Sequence, residues 1–364
     1  MKFSTERDLF LKVLNEVSKA LPTRSTLPIL QNILFELKNN TLSLTATNLD
    51  FTIQERMEVL GEEDGKFTLP GKTLQQIIGT LPLATLHFHQ SGGTTKIFTD
   101  TGNYTLMGFS PEDFPTVKTI EEGDVFQFPK DLLLEGYQSV GFCAAREDPR
   151  PFLTGVLWHV KKDEVRFVAS DSHKLGLWKK KTEGMSSFEA ILPKNIFEFL
   201  KSRDEDTVEV RFAHDTLGLY FENAFLITRL IEGPYAPYED VLPKDEGNIL
   251  VTSREDLIGS LKRISIFTQS PTYLVRWHLR AGNLILFASS PEIGEAEEKI
   301  TGDYDGVDMD IGFNSQYLLE ILRHLEGEEV KIHFYSPLSA SLIHSNIEEE
   351  GKSLKFLLMP VKLE

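Results

Sequence analysis

The chain has 364 residues, 41% hydrophobic and 26% charged, which is enough apolar material for several cores and too much for a disordered chain. One cysteine, Cys143, excludes an intrachain disulfide and a cysteine-based zinc site and fits a reducing cytoplasm; the charged start and the lack of any run near the roughly 18 apolar residues of a membrane span argue against secretion or insertion. A formal charge of −17 excludes a nucleic-acid binder that relies on an overall basic surface, although a local basic stripe remains compatible with it.

Taken in order, the chain repeats itself. A strand-like run, a polar turn and an amphipathic stretch begin at Phe3, and the same pattern returns at Phe128 and Val251, 125 and 123 residues further on. A second unit of the same kind starts at Leu69, Leu192 and Phe313, following the first units by 66, 64 and 62 residues. Ser, Thr, Asn or Pro at each turn suits a helix start, because such residues accept an orphan N–H or lack one. Between the helices, Thr41 to Thr47, Glu164 to Ser170 and Asn283 to Ser289 alternate with a period of two, as half-buried strands do. Acidic, Gly-containing junctions at 121–124 and 245–248 mark boundaries. The expected architecture is α+β with three similar domains, 1–122, 123–246 and 247–364. Each is an internally duplicated strand-helix-strands unit with helices on one side.

Charge follows this division. The six amphipathic stretches carry a net +3, which leaves −20 on the other 286 residues. A weakly positive helical face suits loose contact with phosphates, since Lys and Arg stems follow a backbone without reading bases. Cys143 is expected as a small packed residue ending a helix, His87 and His89 as exposed alternate positions of a strand, and the run from Glu348 to Glu350 as a solvated hairpin tip.

Asp171, Ser172 and His173 contain the residue types of a hydrolytic triad. A triad needs convergence from separate elements, and no Gly-x-Ser-x-Gly elbow accompanies them, so a turn or pocket wall is the better reading. The scattered histidines have no metal-ligand spacing, and no metal or cofactor is expected. An enzyme or acid-rich nuclease would concentrate its polar signature in one domain, whereas this repeat runs evenly through three. A peptide-binding adaptor that does not bind DNA is the remaining alternative.

Several motifs resemble the bacterial sliding clamp family, the beta subunit of the replicative DNA polymerase. They are Arg24-Ser-Thr-Leu-Pro-Ile-Leu-Gln-Asn, Asp113-Phe-Pro, Ala169-Ser-Asp-Ser-His-Lys-Leu, Tyr238-Glu-Asp-Val-Leu-Pro-Lys, Gly312-Phe-Asn-Ser-Gln-Tyr and Met359-Pro-Val-Lys-Leu. The resemblance covers essentially the whole chain. It implies a non-catalytic cytoplasmic processivity factor in which two monomers close head to tail into a ring, helices lining the hole and sheets forming the rim. Double-stranded DNA threads the ring without sequence preference. The implied partners are the replicative polymerase catalytic subunit, the clamp loader complex and clamp-motif peptides from repair polymerases, mismatch repair and ligase.

The resemblance also implies sites. Arg24 matches a DNA-touching arginine; Lys72 and Lys194 occupy equivalent helix starts in the repeats; Arg146 and Arg150 lie in a loop that departs here from the family's usual pattern. Tyr104, Ile266 and Phe267 match apolar seam residues. A peptide pocket is carried over onto Leu153, Ser170, His173, Lys174, Leu175, Val241, Asn314, Tyr317, Leu338, Leu358, Met359, Pro360 and Val361. Asp240 stands where a basic residue is usual and Ala236 where a proline is. Leu, Val, Met and Tyr make an adaptable apolar cleft, suited to segments that carry glutamine, Leu and Phe.

Overall fold

The computed structural model describes residues 1–347 and 350–363; Glu348 and Glu349 of the acidic run expected at a hairpin tip lie outside them. The backbone forms two compact units, Met1–Leu132 with Asn195–Leu230, and Leu133–Lys194 with Ile231–Glu364. Six helices recur in the positions expected from the repeat: α1 (Arg7–Ser18), α2 (Gly71–Thr80), α3 (Lys130–Val140), α4 (Asn195–Leu200), α5 (Arg254–Ile264) and α6 (Ser315–His324).

In the first unit, a five-stranded antiparallel sheet runs from Leu60–Glu63 to an open edge at Asn103–Met107. An eight-stranded sheet runs from Asp124–Pro129 to Gly65–Pro70, and its pairing of Phe51–Glu58 with Ala224–Arg229 ties the two sequence segments together. α1 buries Phe10, Leu14 and Val17, with the Phe10 ring 6.3 Å from Phe35 and 5.1 Å from Phe88. His87 and His89 are exposed and alternate with buried Phe88, as a half-buried strand requires.

In the second unit, a single antiparallel sheet of twelve strands runs from Phe188–Leu192 at one edge to Met309–Asn314 at the other. Its fourth and fifth strands from that first edge are Lys174–Lys181 and Lys352–Leu358, whose register sets Leu175 opposite Leu357 and Lys174 opposite Leu358. Cys143 is fully buried in the single helical turn that follows α3, where burial pushes its thiol well up from the ordinary range.

The polar turns expected before the helices are mostly absent. α1, α2, α3, α5 and α6 each begin at the residue after a strand ends, because one residue whose ψ changes from extended to helical is enough to switch. Ser4 and Thr5 are therefore buried strand residues, and Glu6 enters α1 at φ −74°, ψ 136° with no side-chain cap. Ser253 and Asn314 do cap their helices: Ser253 Oγ accepts from Asp256 N at 3.3 Å, and Asn314 Oδ1 from Gln316 N at 2.9 Å and Tyr317 N at 3.3 Å.

A device absent from the sequence reading closes each helix pair. Arg7, at the start of α1, donates to the carbonyls of Ile78 (3.0 Å) and Gly79 (2.8 Å) at the end of α2. Lys130, opening α3, donates to Arg203 O after α4 at 2.6 Å. Arg254, opening α5, donates to Leu322 O (3.1 Å) and Gly327 O (2.8 Å) around the end of α6. A cation at its own helix N-terminus is unfavourably placed, but at a neighbouring C-terminus it meets the carbonyls and the negative end of the dipole.

Candidate functional site

The tight turn between Glu164–Ser170 and Lys174–Lys181 is built by Asp171. Its Oδ1 accepts from His173 N (2.9 Å) and Lys174 N (2.8 Å), and its Oδ2 takes Lys174 Nζ at 2.8 Å. Ser172 adopts a φ of 74°, and Ser170 Oγ donates to Lys174 O at 2.9 Å. Asp171 is thus committed to the turn and to Lys174, an arrangement for holding shape rather than for activating a nucleophile.

Lys174 extends from this turn to α6. Its buried ammonium lies 2.8 Å from Asp171, 3.3 Å from Glu320 and 4.2 Å from the Tyr317 ring centroid. Burial opposes the charge, yet the two carboxylates outweigh it and raise the Lys174 pKa. The His173 ring stacks on Tyr317 with centroids 6.0 Å apart, and His173 O accepts from Met359 N at 2.8 Å. Val361 pairs with Gly312 through its N–H at 2.8 Å. The chain end is thereby fixed beside Asn314 and Tyr317, with Met359 still 44% exposed.

On the sheet face opposite the helices, Leu175, Leu177, Leu342 and Leu357 form one apolar cluster with Leu157, Val168 and Tyr238, against which Tyr235 and Leu242 pack. Leu153 is buried, while Val241 and Leu338 are among the exposed large apolar residues. The pleat separates Leu357 from Leu358. Leu357 shares the face of Leu175, whereas fully buried Leu358 pairs with Lys174 and points to the helix side. The residue assigned from resemblance as Leu358 is therefore replaced on this face by Leu357. Both are leucines in an unbroken apolar run, and only the register distinguishes them.

Tyr238, which opens one of the quoted motifs, carries no site role in the sequence. Its hydroxyl meets His159 Nδ1 at 2.9 Å and accepts from Arg166 Nη1 at 2.9 Å; Lys161 and Arg166 hold the adjacent Glu239 carboxyl down to about 2. This fixes the single helical turn Tyr238–Val241 that carries Asp240 and Val241.

The basic candidates are arranged unevenly. Arg24 and Lys72 are exposed in the first unit, Arg24 in a bend and Lys72 in the first turn of α2. In the second unit Arg146 is exposed, but Lys194 donates to Ala144 O (2.9 Å) and Ala145 O (3.0 Å) and so anchors the loop that carries Arg146. Burial lowers the Lys194 pKa. Arg150 bonds Asp148 at 2.9 and 3.1 Å and donates to Ser172 Oγ at 2.7 Å, joining that loop to the Asp171 turn. Tyr104 lies on the open edge strand, and Ile266 and Phe267 lie in a helical turn after α5 where Ile266 is 63% exposed. Among the described residues no cluster of three or more His, Cys, Asp or Glu is placed to hold a metal ion, and no helix is long and apolar enough to cross a membrane.

Profiles of the DNA polymerase III beta subunit match almost end to end: its N-terminal domain over residues 1–118, its central domain over 127–237 and its C-terminal domain over 239–362. The chain belongs to this family. It is 30% identical to the beta sliding clamp of Proteus mirabilis and 27% identical to that of Bacillus subtilis, with 100% of both chains covered in each case. Among solved structures it resembles the C. crescentus beta sliding clamp (26% identity, TM-score 0.93) and the Pseudomonas aeruginosa sliding clamp bound to griselimycin (28% identity, TM-score 0.90), again over 100% of each chain. The three-domain α+β architecture is that of a clamp, and the protein is a non-catalytic processivity subunit that encircles DNA.

Proposed function

We propose that two copies close head to tail into a ring on duplex DNA and present the Leu175–Leu357 face, His173, Tyr317 and Met359 as a docking pocket for partner peptides. The observation that carries the self-association is the edge strand Asn103–Met107. Its sequence, Asn-Tyr-Thr-Leu-Met, has no charge or proline to blunt it, so its free N–H and C=O groups are a template for another strand. Tyr104 flanks that seam in one protomer; Ile266 and Phe267 supply an apolar surface in the other.

Arg24, Lys72, Arg146 and Arg150 face phosphates in this reading, and Lys194 positions the Arg146 loop. Weak contacts suit the task, because tight phosphate binding would resist sliding. Domain limits fall at 1–122, 123–246 and 247–364. The partners are the polymerase catalytic subunit, a clamp loader and clamp-motif peptides of repair polymerases, mismatch repair proteins and ligase, in the cytoplasm.

The test combines Ile266→Ala with Phe267→Lys. The unaltered protein, loaded by a clamp loader, is expected to stay on circular DNA and be shed when the circle is cut. The double variant is expected to be a folded monomer by light scattering and not to be retained. Equal retention on cut and closed DNA refutes encirclement, and a dimeric variant refutes the seam.

A further inference from the structure

The strands that floor the pocket continue, on the same face, into a row of cations. Along Lys352–Leu358 the side chains of Ser353, Lys355 and Leu357 alternate onto one face, and along Lys174–Lys181 those of Leu175, Leu177 and Lys179 do the same. Lys355 pairs with His344, which pairs with Lys331 on the next strand. Two residues of strand rise, about 7 Å, separate Lys355 from Leu357.

The two faces of these strands treat charge differently. On the helix side, Lys180 and Lys352 are neutralised by Glu135 at 3.2 and 2.8 Å. On the pocket side, Lys179, Lys331 and Lys355 have no carboxylate within ion-pair distance among the described residues. Glu329, two positions beyond Lys331, is held by Asn346 Nδ2 at 2.8 Å. None of the three lies opposite another lysine: Lys179 pairs with Arg166 and Ser353, Lys355 with Leu177 and His344, and Lys331 with Val251 and His344, and Arg166 is already matched by Glu164 and Glu239. Three unneutralised lysines half-buried beside an apolar floor therefore suit an anion supplied from outside.

We propose that Lys179, Lys355 and Lys331 form a docking track for an acidic peptide segment that flanks the apolar anchors of a pocket-bound partner, with His344 between Lys355 and Lys331 as a spacer whose ring nitrogens are taken by His333 and Ser345 O. The inference rests on the pocket reading and adds the chemistry of the flanking sequence. Continuity with the leucine floor favours a peptide over a nucleic acid, because one polypeptide joins apolar anchors to carboxylates within a few residues whereas a phosphate backbone has no use for the leucines. The track would select among partners that share the same anchors.

The experiment measures binding of three synthetic peptides to the full-length protein by fluorescence anisotropy: one with glutamine, leucine and phenylalanine anchors, and two with four glutamates added at its N- or C-terminal end. One extension is expected to tighten binding about tenfold at low salt and to lose most of that gain near 0.5 M salt. Lys179→Gln/Lys355→Gln/Lys331→Gln is expected to abolish the gain while binding the plain peptide like wild type, which also shows that the triple variant is folded. A gain that persists in the variant, or no gain from either extension, overturns the track. Failure of all three peptides to bind wild type overturns the pocket and the track together. A short single-stranded oligonucleotide that competes away the glutamate gain at lower concentration than free tetraglutamate would reassign the lysines to phosphates and also overturn the proposal.

Discussion

Arg203 in the first unit and Lys174 in the second are built from the same parts. Each is a cation with a side chain 10% exposed or less, two carboxylates and an aromatic face. Arg203 meets Glu55, lies 3.6 Å from Glu16 and sits 4.4 Å from the Phe199 ring; Lys174 has Asp171, Glu320 and Tyr317. The difference lies in the partners. The Glu55 side chain is 7% exposed, whereas that of Glu320 is 47% exposed, and Tyr317 also bears the stacked His173 ring. A cluster closed on every side can only hold the fold together. One whose acid and ring remain partly wet can hold a shape and still meet a ligand.

Breaking the closed cluster is expected to have the largest effect. Arg203→Met leaves Glu55 and Glu16 without their guanidinium and should cost about 3–5 kcal/mol in denaturant unfolding at pH 7, the range for orphaning one partner of a buried pair. Burial already pushes the Glu55 carboxyl above its ordinary 4.5, against the pull of Arg203, and without Arg203 it should rise further. Between its unfolded and folded pKa values, a raised acid is protonated in the folded state while the unfolded chain ionises. Its penalty is therefore absent below about pH 4.5 and grows as pH rises through the folded pKa. The variant should approach wild type in acid; a deficit independent of pH would show that lost packing of the arginine stem over Phe199, not charge, dominates.

The open cluster should respond less in stability and more in binding. Lys174→Met leaves Asp171 still capping its turn and Glu320 free to hydrate, so roughly 1–2 kcal/mol of stability should be lost. Peptide affinity should fall, because Tyr317 and the His173 turn lose their common support. The raised Lys174 pKa means that the ammonium's contribution is complete below about 10.4 and disappears only as pH rises through the folded value. The contribution of Lys174 to peptide binding should then be level across the neutral range. A stability loss matching that of Arg203→Met with unchanged peptide affinity would make the Lys174 cluster structural as well.

Much of the architecture was legible because burial imposes periods. The six helices follow the 3.6 repeat and the strands the period of two, so elements at Phe3, Phe128 and Val251 announce themselves. The polar turns were misread because Ser4 and Thr5 resemble caps but point into a sheet, a distinction that depends on pairing with Leu60–Glu63 and Thr85–Ser91. Within the site, the Asp171 turn was readable as local chemistry. Leu357 and Tyr238 were not, since the first needs strand register and the second a bond to Arg166, 72 residues away.

The three helix locks test the smallest step on this scale, between full burial and open solvent. Arg7, Lys130 and Arg254 recur 123 and 124 residues apart, each as the first residue of its helix. Repetition of a cation where its own helix dipole disfavours it was a signal in the sequence, resolved only by finding its target one helix away. Arg7→Met and Arg254→Met keep an apolar stem and each remove two hydrogen bonds to backbone carbonyls, with Arg7→Met also removing the exposed bond to Asp8, while Lys130→Met removes one to the backbone of Arg203 itself. Each should cost about 1 kcal/mol. Lys130→Met and Arg203→Met should fall short of additivity because they share Arg203, whereas Arg7→Met and Arg254→Met, in separate units, should add. Wild-type stability in both arginine variants would mean that apolar packing alone holds the helix pairs and that the repeated cation is a by-product of duplication.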